Sequence, residues 1–431
     1  MTLSWLSERK YFNRLFLAFV VIFIDMGKSL IVQKYGGSSV ADTGRIKNVA
    51  NRIARYKKQG HKIVVVVSAL GDTTDELLEL AGQITDRPSD RELDMLISTG
   101  EQVSVALLAM ALHKIGIDAI SFTGPQVGIV TDCSHTKAKI LKISADRIRE
   151  QVKKGKVVIV AGFQGMNAEQ EITTLGRGGS DLTAVAIAKT LDADMCEIYT
   201  DVEGVYTADP RVVKDARKLS VISYEEMLEL ASLGAQVMQA RSIEVAKKYS
   251  VPLHIRSSFT DKEGTIISKE VKSMEEVLVS GVTANKGEAK VTICDVPDRP
   301  GIAAKIFASL AKHDINVDMI IQNISRRGYT DLSFTVPTAE LNKTKDVVAR
   351  IVKAVKAKGV VYNNEIAKVS IVGVGMKTHS GVAAKMFGAL ASKKINIDMI
   401  STSEIKISCV INKKYADDAV RALHKAFGLK R

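Results

Sequence analysis

The chain has 431 residues, of which 46% are apolar and 25% charged, proportions of a globular protein that exclude disordered and collagen-like classes. A chain of this length exceeds what one hydrophobic core serves, so two or three domains are expected. The formal net charge of +13 calls for anionic partners, but Lys and Arg are spread along the chain with few aromatics between them. That distribution fits nucleotide phosphates or acidic metabolites and speaks against a nucleic-acid groove. Cys133, Cys196, Cys294 and Cys409 stand far apart with no CxxC pair, so neither a zinc site nor a disulfide framework is indicated, and a reducing cytoplasm is the simplest compartment.

Leu15 to Ile24 is an apolar run behind Arg9, Lys10 and Arg14. It is too short to span a bilayer, and no small-x-small cleavage site follows it. Residues 1–25 are therefore expected to be an extension ahead of a start at Met26, with no membrane partner. A first strand is expected over Ser29 to Lys34. KIVVVVSAL (62–70) and VVIVAGF (157–163) are short, β-branched and glycine-bounded, which predicts buried parallel strands. Between them, ELDMLISTGEQVSVALLAMALHKIG has helical spacing and stops at Gly116. The fold class expected for the first part is α/β, an αβα sandwich with a mainly parallel sheet.

Such sheets bind ligands at the carboxyl ends of their strands. Four polar clusters fall at those places: Lys34 to Ser39, Ser68 to Thr74, the stretch 162–188, and YTDVEGVYTADPR (199–211). Lys-Tyr-Gly-Gly-Ser-Ser alone reads equally as a phosphate cradle or a plain turn, and it is not a Walker loop, because the lysine precedes the glycines. A second glycine turn, Gly176 to Asp181, leads into the helical run Leu182 to Leu191. Two glycine cradles with cations on one sheet edge are what a triphosphate and its transferred group require. Glu101 reads on its own as a helix cap, and Arg177 as the partner of a local acid. The seven histidines read as incidental, His254 as a strand residue, and Met227 and Met238 as core.

The segments KYGGSS, VVVVSALGDTTDEL, STGEQVS, TLGRGGSDLTAVAIA and YTDVEGVYTADPR, in that order, resemble the aspartate kinases of the amino-acid kinase superfamily, and the similarity runs from Met26 to the C-terminus. The resemblance implies ATP-dependent phosphorylation of the side-chain carboxylate of L-aspartate, the first step towards lysine, threonine and methionine. It implies Lys34 and Asp181 as catalytic residues, the lysine acting with the amides of Gly36 and Gly37. Ser68, Thr74, Glu101 and Arg177 would contact aspartate, Glu101 at the α-amino group and Arg177 at the α-carboxylate. Lys34, Gly36, Gly37, Ser38, Thr200, Asp201, Tyr206 and Arg211 would bind ATP. Magnesium is implied by the triphosphate and by no ligand cluster in the sequence. Gln236 stands where many relatives carry lysine, which puts ATP affinity at that point in question.

The last third is an internal repeat. GIAAKIFASLAKHDINVDMI at 301 recurs as GVAAKMFGALASKKINIDMI at 381 with twelve of twenty positions identical, a mark of duplication. Each copy reads as strand, glycine turn, amphipathic helix, strand. The copies resemble ACT domains, ferredoxin-like α+β modules that sense amino acids. The resemblance implies lysine and/or threonine as effectors, held by Asp298, Gly301, Ala303, Asn316 and Gln322 in the first copy and Val382, Ala383, Asn396 and Ser403 in the second. Gly301 and Gly381 also read as helix caps. The domains expected are 26–270 (catalytic), 289–350 (first ACT), and 277–288 plus 351–431 (second ACT), the early strand being donated to the second module. A homo-oligomer, dimer or tetramer, is implied, with a shorter ACT-only subunit from an internal start such as Met274.

Overall fold

A computed structural model describes residues 29–235, 237–269, 278–323, 328–377 and 379–430. The expectations placed on residues 1–25, Met26, Gln236 and Met274 lie outside the described residues. The chain forms two compact units.

In the first unit, β1 (Leu30–Tyr35) leads through a glycine turn to α1 (Thr43–Lys58), and β2 (Lys62–Val67) to α2 (Thr73–Ile84). The long helical pattern breaks at Ser98 into α3 (Asp90–Ile97) and α4 (Thr99–Lys114). Next come β3 (Ala119–Phe122), β4 (Ile129–Thr131), β5 (Ile140–Ile143), α5 (Asp146–Lys153), β6 (Val157–Ala161), β7 (Gln164–Met166) and β8 (Ile172–Thr174). Helix α6 (Gly179–Leu191) starts three residues earlier than its apolar pattern suggests, and β9 (Met195–Thr200), β10 (Val221–Ser223), α7 (Tyr224–Ser232), α8 (Ala240–Tyr249), β11 (Leu253–Ser257) and β12 (Thr265–Ser268) follow.

The main sheet has the order β10-β12-β11-β9-β1-β2-β6-β3, and only the β11–β12 pair is antiparallel. Its central strands are β-branched because both faces are covered. On one face Ile31, Ile63, Val65, Val67, Val157 and Ile159 pack with Ile46, Val49 and Ile53 of α1 and Val105, Leu108 and Leu112 of α4. Each such side chain contributes about 1.5–3 kcal/mol by leaving water. Helix α6 covers β1, β2 and β9 on the other face. Strands β9, β1, β2 and β6 are adjacent and parallel, so the four polar loops leave one edge together. A small sheet, β5-β4-β7-β8, sits beside this edge.

The second unit holds β13 (Gly281–Asn285), β14 (Glu288–Pro297), α9 (Ile302–Ala311), β15 (Ile320–Gln322), β16 (Tyr329–Pro337), α10 (Leu341–Val355) and β17 (Gly359–Asn363). It continues with β18 (Ile366–Val372), α11 (Val382–Ser392), β19 (Met399–Thr402), β20 (Lys406–Asn412) and α12 (Ala416–Ala426). The two four-stranded sheets have the orders β15-β16-β14-β17 and β13-β18-β20-β19. Strand β13 precedes the first repeat yet pairs antiparallel with β18 of the second, Gly281 opposite Val372.

Two expected boundaries shift. The first module runs past residue 350, because Ile351 and Val355 complete its core and β17 pairs with β14. Residues 206–217 and 229–235, expected in the catalytic domain, pack with the second unit, where Ala208, Val213 and Ala216 join its apolar core.

The two modules are locked by Lys368 of β18. Its ammonium meets Glu288 of β14 at 2.5 Å and also pairs with Asp318, and the lysine side chain is 3% exposed. Burial works against its charge, but the two carboxylates outweigh it and hold the amine above its ordinary value. Breaking one side of such a pair leaves an uncompensated charge. Lys368→Ala should destabilise the second unit by about 3–5 kcal/mol, seen as a lower denaturation midpoint, and adding Glu288→Gln should recover part of the loss.

Candidate active site

Successive residues of a strand face opposite sides of the sheet, so Tyr35 enters the α1–α4 core while Lys34 points to α6. There its Nζ lies 2.6 Å from Oδ1 of Asp181, with the two side chains 12% and 8% exposed. Asp181 sits in the first turn of α6, where the helix dipole favours a negative charge. The catalytic pair expected from sequence is thus in contact.

The loops around this pair touch through glycine. A Cβ on Gly37 would stand 2.8 Å from the carbonyl oxygen of Gly71 and 3.1 Å from that of Ala69, so no other residue fits without moving the second loop. A Cβ on Gly162 would meet the Ser180 side chain at 2.6 Å, which lets the start of α6 approach the end of β6. Gly71 N–H donates to the Gly37 carbonyl at 3.1 Å, and Ser68 N–H to the Tyr35 carbonyl at 3.1 Å.

One expectation needs correction. The Gly36 amide is committed, because it donates to the Tyr199 carbonyl at 3.2 Å. That leaves the Gly37 amide, at the start of the short helical turn 37–39, as the one of the two to face an anion. Ser38 is exposed on this turn, and its carbonyl accepts from Arg45 at 2.6 Å.

Glu101 lies in the first turn of α4, 3% exposed. Oε1 accepts the Ala69 N–H at 3.2 Å, while Oε2 is buried with no partner. Burial pushes its carboxyl up to about 8. A buried carboxyl with one unmatched oxygen, placed beside the second loop, is more than a helix cap. Ser68, on that same loop, and Thr74, in the first turn of α2 behind it, are half-buried. Arg177 is 90% exposed, and its guanidinium pairs with Asp75 at 3.4 Å, a surface pairing worth about 0–1 kcal/mol that leaves the guanidinium available.

Thr200 ends β9 and Asp201 follows it, with the Thr200 hydroxyl donating to the Asp201 carboxylate at 3.0 Å. Tyr206 and Arg211 belong to the second unit, where Tyr206 packs on the apolar core and Arg211 pairs with Asp209 at 2.8 Å.

Sequence reasoning missed Gln239. Its Nε2 donates to the Arg177 carbonyl at 2.7 Å and its N–H to Oδ2 of Asp181 at 3.3 Å, so it braces the glycine turn at both ends. A glutamine ahead of a helix carries no signal that would have revealed this. The histidines are not all incidental either: Nδ1 of His135 pairs with buried Asp94 at 2.8 Å. The signal available was Asp94 itself, a charge on the same helical face as buried Ile97. His254 is the strand residue expected, held low at about 4 mainly by burial, and Met227 and Met238 are buried.

In the second unit, a cavity of 330 Å³ is lined by Asp298, Gly301, Ala303 and Gln322 together with Arg299 and Leu332. Asn316 is not among its lining residues, and its N–H donates to Glu340 at 3.2 Å. Gly301 and Gly381 both begin helices at φ +88°, so the helix-cap reading holds for each. In the second copy the Val382 side chain is buried in the core with Ala383 packed against it, while Asn396 and Ser403 are exposed.

Residues 29–257 match the amino acid kinase family, and 290–355 and 369–427 each match an ACT domain. The chain is 54% identical over 402 residues to an aspartate kinase of Pseudomonas putida, covering 93% of this chain and 98% of that one. The chain belongs to the aspartate kinase family. Among solved structures it resembles aspartate kinase from Synechocystis at 48% identity, with a TM-score of 0.53, over 93% of this chain and 70% of that one. E. coli aspartokinase III in complex with aspartate and ADP shares the fold at 24% identity and a TM-score of 0.79, over 92% and 99% of the two chains. This chain is accordingly a kinase enzyme with ACT modules.

Two outcomes are expected. Gly37→Ala should lower turnover by about 100-fold, because misplacing a reacting group by about 1 Å has that effect, and should also lower the unfolding midpoint, because the added methyl meets backbone atoms of the second loop. The Glu101 carboxyl, raised above its unfolded value, keeps a proton that the unfolded chain releases, so its contribution to stability falls as pH rises towards about 8. If its carboxylate takes the substrate ammonium, KM for aspartate falls as pH passes through about 8, and Glu101→Gln removes that slope from the KM profile.

Proposed function

We propose that the chain phosphorylates the side-chain carboxylate of L-aspartate with ATP, giving 4-phospho-L-aspartate and ADP, as the feedback-regulated first step towards lysine, threonine and methionine. The observation that carries this reading is the Lys34–Asp181 pair at 2.6 Å beside the Gly37 turn.

The nucleophile is already ionised at neutral pH, so no general base is required. A carboxylate oxygen attacks the γ-phosphorus, the bond to the β,γ-bridging oxygen breaks, and that oxygen leaves on ADP. Positioning and charge neutralisation then supply most of the rate. Lys34 and the Gly37 amide stabilise charge on the transferred group, and Asp181 orients Lys34. Arg177 meets the α-carboxylate in two-point contact, and Glu101 takes the α-amino group with its free Oε2. Ser68 and Thr74 complete the aspartate contacts, while Ser38, Thr200 and Asp201 serve the nucleotide.

Among the described residues no group of three His, Cys, Asp or Glu is arranged to hold a metal ion; Mg²⁺ is read here as carried in on the triphosphate. Mg²⁺ is usually held by one or two carboxylates and the phosphates themselves; it would supply charge neutralisation. Lysine, threonine or both are the effectors, held at the cavity lined by Asp298 and Gln322, and they inhibit by favouring a less active arrangement. The enzyme acts as a dimer or tetramer through its ACT modules, where edge strands β15 and β19 expose Ile320 and Ile400 at equivalent positions of the repeat. Its compartment is the cytoplasm, in keeping with four free cysteines.

The test incubates the purified chain with Mg-ATP, L-aspartate and hydroxylamine, which traps the acyl phosphate as a coloured hydroxamate, alone and with lysine, threonine and both. Aspartate-dependent hydroxamate is expected, with Lys34→Ala at least about 100-fold slower and still binding effector. No product from folded wild type, or full activity in Lys34→Ala, would overturn the reading.

A further inference from the structure

Asp94 is fully buried in the middle of α3. A carboxylate there is tolerated only if donors surround it, and all of its donors come from other segments. Thr136 N–H reaches both oxygens at 3.1 and 3.0 Å, Nδ1 of His135 lies at 2.8 Å, and the Thr174 hydroxyl donates at 2.5 Å. His135 extends the cluster through Nε2 to Glu171 at 3.3 Å, and Glu171 pairs at 3.4 Å with Arg91, one turn before Asp94 on α3.

The cluster joins the two arms that grip the substrate. Thr174 ends β8, two residues before Gly176. Gly176 has φ +80°, and the Thr136 carbonyl oxygen would lie 3.2 Å from a Cβ placed on it, so the segment fixed by Asp94 also walls the turn that carries Arg177. In the other direction α3 runs through Ser98 straight into α4 and Glu101. The Ser98 carbonyl is itself pinned by Gln164 Nε2 at 2.8 Å.

A buried Asp–His pair also occurs as the base of hydrolytic enzymes. Here both imidazole nitrogens are engaged by carboxylates, so none is left to face a substrate. Burial works against the imidazolium, yet the hydrogen bonds to Asp94 and Glu171 hold it above its ordinary value, which keeps the clamp closed.

We propose that Asp94 and His135 are positioning residues that fix the separation between Arg177 and Glu101, and thereby the length of amino acid the site accepts. This rests on the reading of Arg177 and Glu101 as the groups that hold the two ends of aspartate.

The experiment measures KM for L-aspartate, KM for ATP, kcat, and the kcat/KM ratio of aspartate to glutamate in His135→Ala, His135→Gln and Asp94→Asn. Expected is a rise of about 10-fold in KM for aspartate and a fall of similar size in the aspartate-to-glutamate ratio, with kcat and KM for ATP within about 2-fold. His135→Gln, which retains a donor towards Asp94, should recover part of the effect. A purely structural role would lower the active fraction and the melting temperature without moving KM for aspartate. Unchanged KM for aspartate in folded His135→Ala, or an equal rise in KM for ATP, overturns the proposal, and His135→Ala decides if Asp94→Asn does not fold. Arg177→Ala and Glu101→Gln, measured alongside, separate the two failures. If they raise KM for aspartate and His135→Ala does not, only the positioning role is lost; if they leave it unchanged, the substrate reading falls and the positioning role with it.

Discussion

The ion pair between Lys34 and Asp181 is the contact that ties β1 to α6, and the chemistry proposed for the first unit depends on it. Two nearly buried charges at 2.6 Å cost several kcal/mol to desolvate, and apolar residues of similar volume often match such a pair in stability. Its presence makes sense as function. It requires β1 to sit beside β9 and β2, α6 to start where β6 ends, and both glycine turns to yield space. The sheet order and the tight turns around the site follow from that requirement.

Close backbone approach does the rest. Gly37 against Ala69 and Gly71, Gly100 against Ala69, and Gly162 against Ser180 are positions where a single methyl would collide. They draw the ends of four parallel strands into one edge with amides and cations facing the same space. Phosphoryl transfer to an ionised acceptor asks mainly for such positioning and charge, and on the proposed reading Glu101, its carboxyl raised by burial, would meet the substrate's ammonium.

In the second unit duplication is complicated by exchange. The repeat would allow two independent modules, but β13 crosses to the second sheet, and Lys368 binds Glu288 and Asp318 of the first. A buried lysine with two carboxylates fixes register more than it stabilises. A ligand at the Asp298–Gln322 cavity therefore acts on a pair of modules held as one.

Several features were fixed by the order of residues alone. Short β-branched runs between glycines favour strands buried on both faces, so the parallel sheet and the loops at its edge were legible, while the candidate pair Lys34 and Asp181 came from the family resemblance. The duplication, with twelve of twenty identical positions, was equally open to reading because it depends on local pattern, whereas the donated strand came from the family resemblance. Other features needed the tertiary structure, because they depend on which backbone groups meet across the chain. The Gly36 amide is spent on Tyr199, Gln239 braces a turn about sixty residues away, residues 206–217 join the other core, and α10 with β17 completes the first module. Asp94 and His135 show the difference most sharply: a carboxylate and an imidazole forty residues apart in the chain meet at 2.8 Å only because the fold buries Asp94 against the segment that carries His135.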